Sequence, residues 1–155
     1  MPTSVIFKIG VISDTHGLLR PEAIQALRGC DRLIHAGDIG RPEILDALAA
    51  IAPLSVIRGN NDEGEWAKRI PLSLDLLIGG LRIHVLHDLN AFNPASPDVD
   101  VVIAGHSHKP TIERKDGVLY FNPGSAGPRR FKLPISMGYL HLQGKHVRGE
   151  LVTLG

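Results

Sequence analysis

Short apolar runs alternate with segments of helical spacing in the first half of the chain. Residues 5–12, 33–35 and 54–57 are rich in Val, Ile and Leu and are bounded by Gly, Asn, Asp or Pro, which predicts buried strands. Residues 21–27 and 42–50 carry apolar positions at helical spacing, and each begins with a proline that the first helical turn tolerates. This β-α-β-α-β pattern predicts parallel strands joined by right-handed crossovers.

The second half of the chain has strand patterns, and its helical periodicity fades after Leu72. The strands predicted there span residues 81–86, 99–104, 118–121, 137–142 and 146–153. We expect loops or short turns between them. Because the chain has no internal repeat, low-complexity tract or linker, we expect a single domain over residues 1–155.

Composition and charge exclude several classes of protein. A chain of 155 residues, 43% of them hydrophobic, can bury a core without disulfides. Its net charge of +1, with mixed signs along the chain, offers no basic face for long nucleic acid. The single cysteine, Cys30, excludes an intramolecular disulfide and a multi-thiolate metal site. The N-terminal apolar run contains Lys8, is too short to span a membrane and precedes no cleavage site, so we expect a cytoplasmic protein without membrane contact.

Residues able to bind a cation follow five of the predicted strands. They occur in the segments Ser13-Asp14-Thr15-His16, Gly37-Asp38, Gly59-Asn60-Asn61-Asp62, His87-Asp88 and Gly105-His106-Ser107-His108. Because parallel strands bring their carboxyl ends to one edge of a sheet, we expect these side chains to share a crevice. Asp14 and His16, like His106 and His108, are two positions apart, which would direct both side chains of an extended segment to the same face.

Taken singly, an Asp or His at a strand end is usually a turn former or a helix cap. Taken together, two Asp, one Asn and four His at five strand ends would leave too many polar groups unpaired unless something bound there. Gly37, Gly59 and Gly105 precede the polar residues, as expected where the backbone turns sharply or approaches a ligand closely. Nitrogen and oxygen donors without a thiolate suit Mn²⁺, Fe²⁺, Co²⁺, Ni²⁺ or Zn²⁺, and Mn²⁺ is our first expectation.

The ordered series D-x-H, G-D, G-N-x-D, H, G-H-x-H resembles the calcineurin-like metallophosphoesterase family over residues 11–108. Asn122-Pro123-Gly124-Ser125 resembles a loop of its small single-domain prokaryotic phosphodiesterase branch. The resemblance implies an α/β fold, namely an αββα four-layer sandwich of two facing mixed β-sheets with flanking helices and the metals at one edge.

The resemblance also implies two divalent metal ions and the residues that hold them. One ion would be bound by Asp14, His16, Asp38 and His108, and the other by Asp38, Asn60, His87 and His106. Asn60, Asn61, Asp62 and His106 are the expected catalytic residues. Two adjacent cations lower the pKa of a bridging water, and the resulting hydroxide attacks phosphorus in line. The expected substrate is a small phosphodiester, with a phosphomonoester as the close alternative.

The sequence departs from the family pattern in two places. Many relatives have a histidine after the motif asparagine, where it can protonate the leaving group, but this chain has Asn61. An amide can donate a hydrogen bond to a phosphoryl oxygen but cannot act as that acid, so we expect a preference for aryl or activated diesters. Asp62 would orient the missing histidine. Relatives commonly have His-Gly where this chain has His87-Asp88, and Asp88 either orients His87 or caps the following turn.

Two other functions compete with a phosphodiesterase. The same fold also serves as a non-catalytic interaction module in a membrane-trafficking complex, with an incomplete ligand set, and two-metal chemistry also serves nucleases. All seven ligand positions are filled here, which favours an enzyme, and the near-neutral charge argues against a nucleic-acid substrate.

Three further expectations concern the surroundings of the site. The segments 63–71 and 89–98 are long enough to form a pocket rim. His35, just before Gly37-Asp38, either supports the site or is a buried core residue, and the second is the commoner case. Apolar residues within 65–78, together with the family resemblance, indicate a homo-oligomer.

Overall fold

The computed structural model describes residues 6–93, 98–130 and 132–154. Its strands are β1 (Phe7–Ile12), β2 (Arg32–His35), β3 (Leu54–Val56), β4 (Ser73–Ile78), β5 (Leu81–Leu86), β6 (Val101–Ile103), β7 (Thr111–Lys115), β8 (Val118–Asn122), β9 (Ser136–Gln143) and β10 (His146–Thr153). Its helices are α1 (Pro21–Leu27), α2 (Pro42–Ala49) and α3 (Glu65–Lys68), and a 3-10 turn spans Leu89–Ala91. Within these described ranges, no helix has the length and apolar character needed to cross a membrane.

The first sheet confirms the predicted β-α-β-α-β opening. Its strand order is β10-β9-β1-β2-β3, with β1, β2 and β3 parallel and with β9 and β10 antiparallel to their neighbours. Both helices that connect the parallel strands begin with the proline noted in the sequence. Val5, where we predicted the first strand to begin, lies outside the described residues.

The second sheet contains two strands that we did not predict. Its order is β4-β5-β6-β8-β7, and the edge strands β4 and β7 are antiparallel to their neighbours. All five residues of β7 are exposed, so this strand has no hydrophobic pattern to reveal it. Strand β4 keeps only Ile78 buried. From the sequence we assigned no strand to these two segments, because hydrogen bonding to a neighbouring strand can hold an edge strand that buries little.

Alternating side chains along the strands divide the core into layers. Ile9 and Val11 of β1 join Ile83 and Ile103 of the second sheet in one buried cluster, so the two sheets face each other. Ile12 belongs to another cluster, with α1 and α2. A third, smaller cluster covers part of the outer face of the second sheet. The predicted αββα sandwich is confirmed, although the described part of its fourth layer is only the 3-10 turn and the residues around it.

Candidate metal centre

The structure brings the polar ends of five strands together. Asp14 and Asp38 follow the adjacent parallel strands β1 and β2, and the backbone N–H of Asp14 donates to the Gly37 carbonyl at 2.9 Å. From the second sheet, His87 follows β5 and the Gly105 loop follows β6, and Gly105 N–H donates to the His87 carbonyl at 3.0 Å. Both sheets therefore contribute loops to one site.

The candidate ligands form two adjacent groups. In each group, the ligand atoms lie within 4.8 Å of one another. The groups are Asp14, His16 and His108, and Asp38, His87 and His106. His108 Nε2 and His16 Nε2 lie 3.3 and 3.5 Å from Asp14 Oδ1, and His87 Nε2 lies 3.1 Å from Asp38 Oδ2. The groups approach each other closely, because His16 Nε2 is also 3.7 Å from Asp38 Oδ2.

One oxygen of the Asp14 carboxylate accepts hydrogen bonds from the protein, and the other has no hydrogen-bond donor. Its Oδ2 accepts hydrogen bonds from the Ser13 hydroxyl at 2.7 Å and from the His106 backbone N–H at 3.1 Å. Its Oδ1 is buried, has no hydrogen-bond partner and faces imidazole nitrogens. Burial opposes ionisation, but the His108 and His16 rings and the Ser13 hydroxyl outweigh it and hold the pKa of Asp14 well below its usual value. A buried anionic oxygen without a donor fits a bound cation.

Asp38 is held by the loop that follows β3. The backbone N–H of Asn61 donates to Asp38 Oδ1 at 2.9 Å, and the Asn61 side-chain amide donates to Oδ2 at 3.1 Å. Burial disfavours the charged carboxylate, but the neighbouring His87 ring and the hydrogen bond from Asn61 outweigh this cost and lower the pKa of Asp38. Asp38 therefore stays anionic and oriented, as a metal ligand must.

The Asn60 amide lies beside two other candidate ligands. One end of this amide lies 3.1 Å from His87 Nε2 and 3.2 Å from both Asp38 carboxylate oxygens. An amide nitrogen at that end would donate hydrogen bonds to these groups, whereas an amide oxygen there would join their lone pairs around a cation. This donor set fits a cation bound between the three side chains.

The tautomer of His87 and the role of Asp88 follow from their contacts. His87 Nδ1–H donates to the Ala36 carbonyl at 2.8 Å, which leaves the Nε2 lone pair facing Asp38. Burial disfavours protonation of His87, but Asp38, the Ala36 carbonyl and Asp14 together outweigh this cost and raise the pKa of His87. Asp88 Oδ1 accepts from the Asn90 backbone N–H at 3.0 Å, so it caps the 3-10 turn, as one of our two alternatives held. Asp88 Oδ2 lies 4.0 Å from His106 Nε2.

Five candidate ligands have left-handed backbone conformations. The ligands with positive φ are Asp14 (56°), His16 (47°), Asp38 (57°), His106 (71°) and His108 (63°). Our expectation that residues two apart converge from an extended segment was wrong in its geometry, because these residues lie in tight turns beyond the strands. Such conformations cost about 1 kcal/mol or more each, and they cluster where a site demands them.

Close approach of the backbone explains the three motif glycines. A Cβ on Gly59 would lie 2.3 Å from the Asp38 backbone nitrogen, and one on Gly105 would lie 2.7 Å from Asp14 Oδ2. A Cβ on Gly37 would lie 2.7 Å from His87 Nδ1. The prediction that these glycines allow close approach is confirmed.

Asp62 contacts backbone groups of two loops. Its Oδ1 accepts from the N–H groups of Ile39 and Gly40 at 2.8 and 3.0 Å, and its Oδ2 accepts from Gly59 N–H at 2.9 Å. The carboxylate is buried, with only 6% of the residue exposed. Asp62 thus joins the loop that carries Asp38 to the loop that carries Asn60 and Asn61.

His35 is both a buried core residue and a support of the site. Its Nδ1 accepts from Gly37 N–H at 3.1 Å, and its Nε2 lies 3.0 Å from the Thr15 hydroxyl, which donates to the Ile39 carbonyl at 2.8 Å. Because Nδ1 is an acceptor, the ring carries its hydrogen on Nε2. Complete burial lowers the pKa of His35 to about 4.

Sequence reasoning assigned no role to Ser13 or to the side chain of Asn122. Ser13 orients Asp14, and the Asn122 amide donates to the Gly105 carbonyl at 3.0 Å. Both residues lie in segments that we had compared with known motifs. The Asn122 bond joins distant loops, and the Ser13 bond to its neighbour depends on the conformation of the turn, so neither leaves a spacing signal in the sequence.

Comparison with known proteins places the chain in a family. The model of the calcineurin-like phosphoesterase superfamily domain matches residues 7–145. The chain belongs to the calcineurin-like phosphoesterase superfamily. A probable metallophosphoesterase of Methanothermobacter thermautotrophicus is 32% identical to it, over 95% of this chain and 92% of that protein. The superfamily assignment makes the chain a member of a metal-dependent phosphoesterase family.

Two solved structures show how widely the fold is shared. A novel archaeal phosphodiesterase is 28% identical, with a TM-score of 0.75, covering 94% of this chain and 99% of that one. Vacuolar protein sorting 29 from Cryptosporidium parvum is 18% identical, with a TM-score of 0.77, covering 95% and 97% of the two chains. At that identity, the second likeness shows the fold alone.

Proposed function

We propose that this superfamily member is a dinuclear phosphodiesterase that hydrolyses a small phosphodiester directly. The observation that carries the proposal is the pair of adjacent ligand groups, in which the donor-free Asp14 Oδ1 lies beside the histidine nitrogens. One cation would be held by Asp14, His16, Asp38 and His108, and the other by Asp38, Asn60, His87 and His106. The likeness to an archaeal phosphodiesterase also supports this function.

Mn²⁺ is the metal we expect first, because the donors are imidazole nitrogens and carboxylate or amide oxygens. Ni²⁺, Fe²⁺, Co²⁺ and Zn²⁺ suit the same donors. When bound, two divalent cations lower the pKa of a water molecule and offset the negative charge of the phosphoryl oxygens. Cys30, the single thiol of the chain, lies in the core between the first sheet and its helices, so we assign it no metal.

Side chains of the chain would contact the substrate phosphate directly. Asn61 holds Asp38 with one amide hydrogen and can donate the other to a phosphoryl oxygen, since an amide nitrogen carries two. Asn60 and His106 are exposed at the site, where a substrate phosphate can reach them. An asparagine at position 61 supplies no proton to a departing alkoxide, so aryl and other activated esters should react fastest.

The proposal is tested by hydrolysis of bis-p-nitrophenyl phosphate. Metal-stripped protein should be inactive, added Mn²⁺ should restore turnover, and Asp38→Asn should remove at least about 99% of it, because a neutral amide cannot replace the carboxylate between the two groups. Asp46→Asn, on the exposed surface of α2, is the matched control and should keep full activity. Mn²⁺ binding without turnover would reject the enzyme and favour a non-catalytic interaction module. p-Nitrophenyl phosphate, assayed in parallel, compares the monoester with the diester.

A nuclease would differ from the proposed phosphodiesterase in its preferred substrate. The net charge of +1 gives little attraction for a polyanion. Cleavage of single-stranded or duplex nucleic acid at a higher kcat/KM than the aryl diester would overturn the small-substrate assignment.

The organisation of the chain completes the proposal. The family match over residues 7–145 supports one metallophosphoesterase domain, and we expect it to act in the cytoplasm.

Leu72 and Leu77 are 63% and 70% exposed, which supports the expectation of a homo-oligomer. Light scattering on the purified protein measures that state directly.

A further inference from the structure

A cavity of about 500 Å³ lies on the outer face of the second sheet, next to the candidate metal centre. Among the described residues, Val102, Ala104 and Tyr120 form part of its lining, and they belong to the outer cluster of the sheet. Phe92, which follows the 3-10 turn, lines it from the segment 89–98 that we predicted to be a pocket rim, of which residues 94–97 lie outside the described residues. The volume lies within the range of small-molecule sites.

The pattern of the strands explains why this cavity exists. Val102 of β6 pairs in register with Tyr120 of β8, and Tyr120 pairs with Glu113 of the exposed edge strand β7. These side chains share one face of the sheet, because residues opposite each other in a ladder point the same way. A full helical layer would cover this face, but the described residues above it form only the short 3-10 turn and its flanks. The cavity lies on this face, with Ala104 in its lining.

The cavity is continuous with the candidate metal centre. His106, Gly105 and Asp88 line it, and His106 also belongs to one of the two ligand groups. The side chain of His106 is 45% exposed, at the border between the two spaces. A phosphoryl group held at the metal centre would thus direct one substituent past His106 into the cavity.

The chemistry of the lining selects the substituent. Phe92 and Tyr120 lie edge to face, with ring centroids 6.1 Å apart and planes at 78°, and both are half-buried. Two such rings offer an aromatic guest both a face and an edge. Asp88, Glu113 and Lys115 also line the cavity, so its charged groups are of both signs and favour neither an anionic nor a cationic guest over a neutral ring. We propose that this cavity binds an aromatic ring of the phosphoryl substrate, supplied by an aryl ester or by a nucleobase.

This inference rests on the proposed function for its phosphoryl anchor, and ligand binding tests it without turnover. We would titrate the Mn²⁺-loaded protein calorimetrically with methylphosphonate, cyclohexylphosphonate and phenylphosphonate. Phenylphosphonate should bind about tenfold more tightly than methylphosphonate, the order expected from burying one ring. It should also bind more tightly than cyclohexylphosphonate, which is apolar but not aromatic.

Variants test whether the preference for the phenyl compound arises in the cavity. Tyr120→Ala should reduce the ratio of the phenyl and methyl affinities to about twofold or less, whereas Tyr120→Phe should keep it, because the ring is retained. Leu151→Ala, at an exposed position on β10 outside the cavity lining, is the matched control and should also keep the ratio. Uridine 5′-monophosphate distinguishes the sources, because tighter binding than phenylphosphonate that depends on Tyr120 would identify a nucleobase.

Three results would overturn the inference: equal affinities for the phenyl and methyl compounds, equal affinities for the phenyl and cyclohexyl compounds, or a preference that survives Tyr120→Ala. A protein that prefers phenylphosphonate but hydrolyses no ester would keep this inference and lose the proposed function. A protein that hydrolyses bis-p-nitrophenyl phosphate without any ring preference would keep the proposed function and lose this inference.

Discussion

Ser13 determines which oxygen of Asp14 is available to a cation. Its hydroxyl and the His106 N–H occupy Oδ2, so the oxygen without a donor is the one that faces the histidines. Groups that orient a metal ligand in this way raise its affinity for the metal.

Ser13→Ala should therefore weaken Mn²⁺ binding by about 10- to 100-fold, the usual effect of removing a group that orients a ligand. Calorimetric titration of the metal-stripped protein measures it. Ser136→Ala is the matched control, because Ser136 is also buried and donates at 2.8 Å to the Pro123 carbonyl, outside the ligand set. Equal losses of affinity in the two variants would contradict the orienting role.

His35 makes the stability of the fold depend on pH. Its pKa falls from 6.5 to about 4 on folding, because the charged ring would be buried. Between these values the unfolded chain binds more protons, so this histidine contributes full stability above pH 6.5 and loses it as the pH falls toward 4.

We predict that this one group lowers the free energy of unfolding by about 2 kcal/mol between pH 7 and pH 5. Urea unfolding in EDTA at both pH values measures the change. His35→Asn, whose amide oxygen can accept from Gly37 N–H, should show a smaller change than the wild type. His146→Asn, on the exposed surface of β10, gives the reference for losing a surface histidine. An unaltered pH dependence in His35→Asn would contradict the prediction.

At the scale of elements, the loops beyond the strands hold the site more than the strands themselves. Five ligands occupy left-handed conformations, which persist only if the surrounding structure imposes them. Asp62 is one of the groups that do so, since it accepts three backbone hydrogen bonds from the loops after β2 and β3.

Asp62→Asn should lower the free energy of unfolding by about 3 kcal/mol, because an amide nitrogen would face backbone N–H groups that have lost a charged acceptor. Urea unfolding in EDTA measures this loss. Asp46→Asn, on the exposed face of α2, should change stability by less than about 0.5 kcal/mol. A stable Asp62→Asn protein with reduced turnover would instead indicate a direct catalytic role for the carboxylate.

At the scale of the whole molecule, the site joins the two sheets. Asp14, His16 and Asp38 follow strands of the first sheet, whereas His87 and His108 follow strands of the second. A bound cation would be held from both sides of the sandwich, and the unfolded chain would not present this set of ligands.

Metal removal should therefore lower the Tm. At a free Mn²⁺ concentration of about 100 times its Kd, binding adds about 2.7 kcal/mol of stability. For a chain of this size, that corresponds to about 5–10 °C. Differential scanning calorimetry with Mn²⁺ or EDTA measures the shift, and Asp38→Asn should show a smaller one. Equal Tm values with and without metal would contradict a site that both sheets share.

Much of the fold could be predicted because hydrophobic periodicity and turn residues are local. Pro21 and Pro42 marked the starts of two helices, and the apolar runs marked eight of the strands. The missed strands β4 and β7 lie at sheet edges, where pairing to one neighbour requires no buried pattern.

The sequence by itself determined the types of donor, their order after the strands and the glycines that allow their approach. Only the tertiary structure decided that Ser13 holds one oxygen of Asp14, that Asp88 caps a turn and that Asp62 joins two loops. Only it revealed the cavity beside His106. Local spacing dictates which side of a strand a residue occupies, but the side-chain conformations in the turns, the long-range hydrogen bonds and the cavity are decided only when the two sheets pack together.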